Sequence, residues 1–213
     1  MLAGTFDSFI YQAIAGRRSI RDAVCWDIGA HVGYHSLVFA SMGAQVLAVE
    51  PNQHNAARLR AHLERNPALA RNIRHLVVAV SDQDGEMAFV QSDDMKGGSS
   101  GSHLAAALPP LHAGVYAECE RLMVPAVRMD SLIDRGERVP DVIKIDIEGA
   151  EFHALQGARK LLVERKPLLF IEVHHICLMF QLQRLFHQLG YTASILDEQN
   201  AAASRCFIMA AAD

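Results

Sequence analysis

Trp26–Asn52 reads WDIGAHVGYHSLVFASMGAQVLAVEPN, and this stretch decides the architecture. An apolar run, Ala23–Ile28 (AVCWDI), ends in the glycine turn GAHVG at residues 29–33. The pattern then predicts a helix over Tyr34–Met42, stopped by Gly43 at the position where a left-handed residue ends a helix well. Gln45–Val49 (QVLAV) is a second buried strand. Gly29 lets the chain turn sharply after the first strand, and Gly33 lets the following helix approach the sheet. Strand, tight turn, helix and strand in this order make a parallel βαβ unit.

Two acids close the two strands: Asp27 on the first and Glu50 on the second, 23 positions apart. An acid at the end of the second strand is placed to accept hydrogen bonds from ribose hydroxyls, so the unit describes a nucleoside site at the carboxyl edge of a parallel sheet. A dinucleotide fingerprint, counted from Gly29, would need glycines where His31 and Tyr34 stand, and their side chains obstruct the approach to a pyrophosphate. Asp27 would repel a pyrophosphate as well. It suits a cation, such as the amino group of a methionine tail with a sulfonium close by. The residues therefore favour S-adenosylmethionine over NAD.

Further along, Asn52 can cap a long helix to Asn66 that Pro67 ends, and Ile73–Val80 is a third strand closing on Ser81-Asp82. Glu86–Gln91 has strand character. Ser92–Gly114 is rich in Gly, Ser, Ala and Pro, and an irregular segment of this length in a compact domain is usually a functional lid or a disordered insertion. Arg121–Val127 is again a strand, leading to a short capped helix at Asp130-Ser131-Leu132. Asp141–Ile147 (DVIKIDI) is the fourth core strand, Glu148–Glu164 a helix, Leu168–Val173 (LLFIEV) a fifth strand and Ile176–Leu189 a helix that Gly190 stops. Tyr191–Leu196 and Arg205–Met209 form a closing antiparallel hairpin. Such an ending sets the chain apart from the ordinary dinucleotide fold, which continues with parallel strands.

Pro140–Gly157 (PDVIKIDIEGAEFHALQG) carries the second group of chemistry. Asp146 ends a buried strand, and Glu148 and Glu151 follow; carboxylates gathered at a strand end repel one another, a cost that points to a functional site. Glu151 also lies near a helix N-terminus, where negative charge is favoured, which by itself explains its presence. Lys144 is two residues before Asp146 and placed to pair with it or with another acid. In Phe170–His175 (FIEVHH), Glu172 lies on the strand while His174 and His175 emerge beyond its end, at the edge that carries Asp27, Glu50 and Asp146. A histidine at a cleft rim titrates near neutral pH and can take a hydroxyl proton, or it can simply cap the next helix.

DIGAHVGYHSL, VLAVEPN, VVAVSDQDG, VRMDSLID, IKIDIEGAEFHALQGA and LLFIEVHH, in this order over roughly residues 20–210, resemble the FkbM family of S-adenosylmethionine-dependent methyltransferases. The resemblance implies an α/β fold: a Rossmann-like class I methyltransferase with a mostly parallel seven-stranded sheet, a C-terminal antiparallel hairpin and helices on both faces. It implies methyl transfer to oxygen, usually on a sugar or natural-product hydroxyl. By position, Asp27, Gly29, Ala30, His31, Gly33 and Tyr34 match the cofactor loop, and Glu50, with Pro51 and Asn52, the ribose-binding end of the second strand. Val80, Ser81 and Asp82 fall where the adenine would lie, and Asp146 falls near the methionine end and the reacting methyl. Asp146, Glu148, His174 and His175 are then the candidates for a base. No residue spacing demands a metal, although Asp130, Asp146 and Glu172 could gather one. His31 stands where many members have Asn, and the segment ahead of the first strand is short, so the acceptor site is either open or completed by a second copy in a homo-oligomer.

Composition agrees with a single domain over residues 1–213, with a helical segment at 1–22 and a lid at 92–120. The 213 residues are 51% hydrophobic and 21% charged, the balance of a globular chain. Twenty Lys+Arg against 24 Asp+Glu give a net charge of -4 with no long block of either sign, which argues against a nucleic-acid groove or a polybasic membrane anchor. The uncharged stretch Ile28–Val49 divides into turn, helix and strand, so membrane insertion is not expected, and the first 24 residues show no secretory pattern. The scattered Cys25, Cys119, Cys177 and Cys206 read as reduced, mostly strand-embedded core residues of a cytoplasmic protein. The partner expected is a small-molecule or glycan acceptor. A non-catalytic S-adenosylmethionine-binding module is the alternative, and an NAD-dependent oxidoreductase a weaker one.

Overall fold

In the computed structural model, residues 8–17, 19–91, 102–105, 120–196 and 206–212 are described. Eleven strands and eight helices lie among them, in chain order α1 (Ser8–Ala15), β1 (Val24–Ile28), α2 (Tyr34–Ser41), β2 (Gln45–Val49), α3 (Gln53–Arg65), α4 (Pro67–Ala70), β3 (Ile73–Leu76), β4 (Ala79–Val80), β5 (Gly85–Gln91) and β6 (His103–Leu104). The second half contributes β7 (Glu120–Val127), α5 (Met129–Asp134), β8 (Val142–Ile145), α6 (Glu151–Gln156), α7 (Arg159–Arg165), β9 (Leu168–Val173), α8 (Ile176–Leu189), β10 (Tyr191–Ile195) and β11 (Cys206–Ala212).

Seven strands form one sheet in the order β10-β11-β9-β8-β1-β2-β3. The pairs β1–β2, β1–β8, β2–β3 and β8–β9 are parallel, and β11 runs antiparallel between β9 and β10. This is the mostly parallel seven-stranded sheet with a closing hairpin that the resemblance implies. Alternate residues of each strand face opposite sides. Trp26 and Ile28 of β1 pack with Leu155, Leu162, Leu182 and Phe186 of α6, α7 and α8, whereas Cys25 packs with Ile10, Phe39 and Leu59 of α1, α2 and α3. Helices thus cover both faces, and every residue of β1, β8 and β9 is buried, which explains their nearly continuous apolar runs.

Three local expectations change. The third strand does not run through to Val80: it breaks after Leu76, and Ala79–Val80 joins a separate four-stranded sheet of order β4-β7-β5-β6. Its own apolar cluster of Phe89, Leu104, Val124 and Ala126 draws this part of the chain away. The helix expected over Glu148–Glu164 is two helices. Gly157 sits so close to Ser81 that a Cβ would lie 2.1 Å from the Ser81 carbonyl oxygen, and the Asp130 carboxylate starts α7 afresh by accepting from the Lys160 and Leu161 amides at 3.1 and 2.9 Å. Within the irregular segment, His103–Leu104 pairs with β5; most of the expected lid, like the extreme N-terminus and the turn of the closing hairpin, lies outside the described residues.

Of the cysteines, Cys25, buried on β1, and Cys206, half-buried on β11, are strand residues as expected, whereas Cys177 is exposed on α8; Cys119 lies outside the described residues. No described helix is long and apolar enough to cross a membrane.

Candidate active site

At the carboxyl ends of β1, β2, β8 and β9 four chain segments converge. Gly29 leaves β1 at φ 77°, its amide donating to the Val49 carbonyl at 2.9 Å. A Cβ there would lie 1.8 Å from the carbonyl oxygen of Asp146, so only glycine allows the β1 turn to pass the end of β8. Ala30 also donates to Val49, and Gly33 leads into α2, whose first residue is Tyr34.

Glu50 locks this turn to β2. Its Oε2 accepts from the His31 amide at 2.9 Å, and its Oε1 accepts from the Asn52 amide at 3.0 Å and the Asn55 side-chain amide at 3.3 Å. Burial pushes the Glu50 carboxyl above its ordinary range in spite of these donors. Burial also lowers His31, whose backbone adopts φ 51° to bring its amide to Glu50. Asn52 caps α3 by accepting from the His54 and Asn55 amides, as its place before the helix predicted, and Pro51 is half-buried beside it.

Asp27 is wholly withdrawn from solvent, which decides what it can hold. It and Lys144 are register partners on adjacent parallel strands, so both side chains point to the same face. Lys144 Nζ lies 3.3 Å from Asp27 Oδ1 and 3.5 Å from Asp146 Oδ2, and donates to the Gly29 carbonyl at 3.0 Å. Asp27 Oδ2 accepts from Ser36 Oγ at 2.6 Å. The cation on Asp27 is therefore the chain's own lysine. Burial disfavours its charge, but the carboxylates of Asp27 and Asp146 outweigh that and hold Lys144 above its ordinary value.

His174 gathers the remaining acids. Its Nδ1 lies 2.9 Å from Glu151 Oε1, while Nε2 faces Glu148 Oε2 at 3.3 Å, Asp146 Oδ1 at 3.5 Å and Glu172 Oε1 at 3.9 Å. Glu151 is fully buried in the first turn of α6, and the same Oε1 accepts from the Ile147 and Gly149 amides. Burial opposes the charged imidazole, but Glu151, Asp146 and Glu148 push His174 up to about 9. Burial likewise raises Asp146, and the charges of Lys144 and His174 more than offset this, holding its carboxyl below the usual range.

The other candidates stand apart. His175 caps α8, its Nδ1 accepting from the Leu178 amide at 3.1 Å. Val80 pairs with Val127 in the second sheet; Ser81 Oγ donates to Asp82 Oδ1 at 3.2 Å, and Asp82 Oδ2 lies 3.4 Å from His153 Nδ1. Asp130, tied to α7, is not part of the cluster. The sequence reading undervalued Glu151, taken as a helix-terminus acid, and Lys144, although a lysine inside VIKI is itself the signal, because a buried strand tolerates that charge only beside acids.

Residues 27–193 match the family described as the methyltransferase FkbM domain. A curated relative, the hexuronic acid methyltransferase AglP of Haloferax volcanii, is 28% identical over 154 residues, 72% of this chain and 56% of that protein. The chain thus spans about half the length of the curated relative it matches. Among solved structures, the FkbM methyltransferase of Methylobacillus flagellatus superposes with a TM-score of 0.63 at 21% identity, covering 91% of this chain and 44% of that one. SMU.1697c of Streptococcus mutans, a putative methyltransferase in complex with SAH, superposes with a TM-score of 0.52 at 10% identity over 90% of this chain and 89% of that one.

Proposed function

The chain belongs to the FkbM family of S-adenosylmethionine-dependent methyltransferases, and from that premise we propose that it methylates a hydroxyl oxygen of a sugar or a sugar-like natural product. The observation that carries this reading is the cluster of Asp146, Glu148 and His174 at the carboxyl edge of the sheet, against the Gly29 turn and two strands from Glu50. The relative that acts on hexuronic acid supports a sugar as the acceptor class.

The residues present fit the cofactor. The acids around His174 outnumber the basic groups facing them, which suits a ligand with a cationic end. Among the described residues Glu50 Oε2 carries one donor, the His31 amide, so a carboxylate oxygen retains a lone pair for a ribose hydroxyl. S-Adenosylmethionine supplies a methyl group on a sulfonium, and in-line displacement converts that sulfonium to a thioether.

This chain's residues do the rest. Glu50 holds the ribose, and Gly29, Ala30, His31, Gly33 and Tyr34, continued by Pro51 and Asn52, line the cofactor, with Val80, Ser81 and Asp82 toward the adenine. Asp27 acts through Lys144, whose ammonium fixes Asp146 and the Gly29 carbonyl. As the acceptor oxygen forms its bond to carbon, its O–H bond breaks and the proton passes to a carboxylate of Asp146 or Glu148. Glu151 holds the His174 ring between these two acids. His175 serves as a helix cap.

The test is incubation with S-adenosylmethionine and a panel of hexuronates, hexoses and natural-product alcohols, reading S-adenosylhomocysteine release and labelled methyl in the product. Transfer to a hydroxyl is expected, reduced by about 10²-fold or more in Asp146→Asn. Cofactor binding with no transfer to any acceptor would instead identify a non-catalytic binding module.

A further inference from the structure

We propose that Asp146, Glu148 and His174 bind a divalent metal ion. Asp146, Glu148 and His174 each offer one ligand atom, and these atoms all lie within 4.8 Å of one another. Nε2 of His174 is 3.3 Å from Glu148 Oε2 and 3.5 Å from Asp146 Oδ1. Ligand atoms held about 2.1 Å from an ion stand about 3.0–3.4 Å apart in octahedral or tetrahedral shells, so a small inward movement closes the set.

The imidazole supplies a second, independent observation. Nε2 is buried and has no hydrogen-bond partner among the described residues, since neither carboxylate contact has hydrogen-bond geometry. The ring cannot turn to find a better one, because Nδ1 is tied to Glu151, itself held by two backbone amides. A histidine that donates one ring nitrogen to a buried carboxylate and presents the other to two more is oriented as metal ligands are. Charge points the same way. Asp146, Glu148, Glu151 and Glu172 surround one imidazole, and the neighbouring Lys144 is shared with Asp27. Even with Lys144 and the charged imidazole counted, the carboxylates remain in excess, which is costly without a further cation among them.

With its Nε2 proton released to solvent as the ion binds, one imidazole nitrogen and two carboxylate oxygens suit Mn2+ or a similar first-row ion. In a six-coordinate shell three positions remain, enough to hold two adjacent oxygens of an acceptor, such as a hydroxyl beside a second hydroxyl or a carboxylate. That role rests on the methyltransferase reading, whereas the metal site itself does not. Glu148 contributes one oxygen to the ion and keeps the other for the acceptor proton.

The experiment titrates Mn2+ into the metal-stripped full chain without cofactor, followed by electron paramagnetic resonance and calorimetry. One ion is expected to bind, with Glu148→Gln and His174→Asn each weakening it at least about 10-fold. Glu86→Gln, an exposed position on β5, should leave it unchanged. Thermal melts identify any variant that fails to fold, and the partly exposed Glu148 keeps the test informative if His174→Asn does not fold. Absence of binding at millimolar Mn2+, or equal binding by Glu148→Gln and wild type, overturns the site. S-Adenosylhomocysteine binding, measured separately without metal, reports on the methyltransferase reading alone.

Discussion

Lys144 and Asp27 lie side by side in register on neighbouring parallel strands, Nζ 3.3 Å from Oδ1, and both side chains are withdrawn from solvent beneath the site. The pair joins the core of the sheet to the functional edge, because the same ammonium reaches Asp146 and the Gly29 carbonyl.

Replacing Lys144 by Met leaves Asp27 as a buried charge without its counter-ion. Urea denaturation should show a loss of about 3–5 kcal/mol. Adding Asp27→Asn to that variant should recover at least about 1 kcal/mol, the coupling expected of two groups in direct contact. Additive losses would mean that the two side chains act separately.

Two glycines with left-handed backbones should differ sharply when changed to alanine. At Gly190, φ 69°, a Cβ meets nothing within 4 Å among the described residues, so only backbone strain applies, about 1–2 kcal/mol. At Gly29 the same strain adds to a collision with the Asp146 carbonyl, and the combined loss should reach about 3 kcal/mol or more. Thermal melts of the two variants give the comparison directly.

Glu50→Gln keeps the size of the side chain but removes its charge. Charge-assisted hydrogen bonds contribute about 1.5–3 kcal/mol, so S-adenosylhomocysteine should bind roughly 10–100-fold more weakly. Calorimetry checks this. Unchanged affinity in a folded variant would show that Glu50 serves the His31 turn alone.

Acid stability should depend on Asp84. Its hydrogen bond from Ser131 and the Arg128 guanidinium beside it hold the carboxyl down to about 2, from an ordinary 3.8. A depressed carboxylate stabilises the fold above its unfolded pKa, and that contribution is lost as pH falls from about 4 toward about 2. Because the pair is near the surface, Asp84→Asn should cost only about 1 kcal/mol at pH 7. The difference between variant and wild type should shrink toward zero near pH 2, as followed by denaturant titration at several pH values.

The sequence alone determined which segments of the chain are strands and helices and where its corners fall, because both follow from local rules. Near-continuous apolar runs mark strands such as VCWDI and LLFIEV, and Asn52, Gly43 and Gly190 mark helix ends whatever the rest of the chain does. The Trp26–Asn52 unit and the closing hairpin were legible for the same reason. What tertiary structure decided depends on pairs far apart along the chain. Ser81 pressing on Gly157 divides one predicted helix into two, and the apolar cluster of the second sheet captures Ala79–Val80. Lys144 takes Asp27 out of the crevice, and Glu151 turns His174 toward Asp146 and Glu148. Spacing shows that a charge stands at a strand end, but its partner is chosen by distance in space, and in a buried site that partner determines what the charge can do.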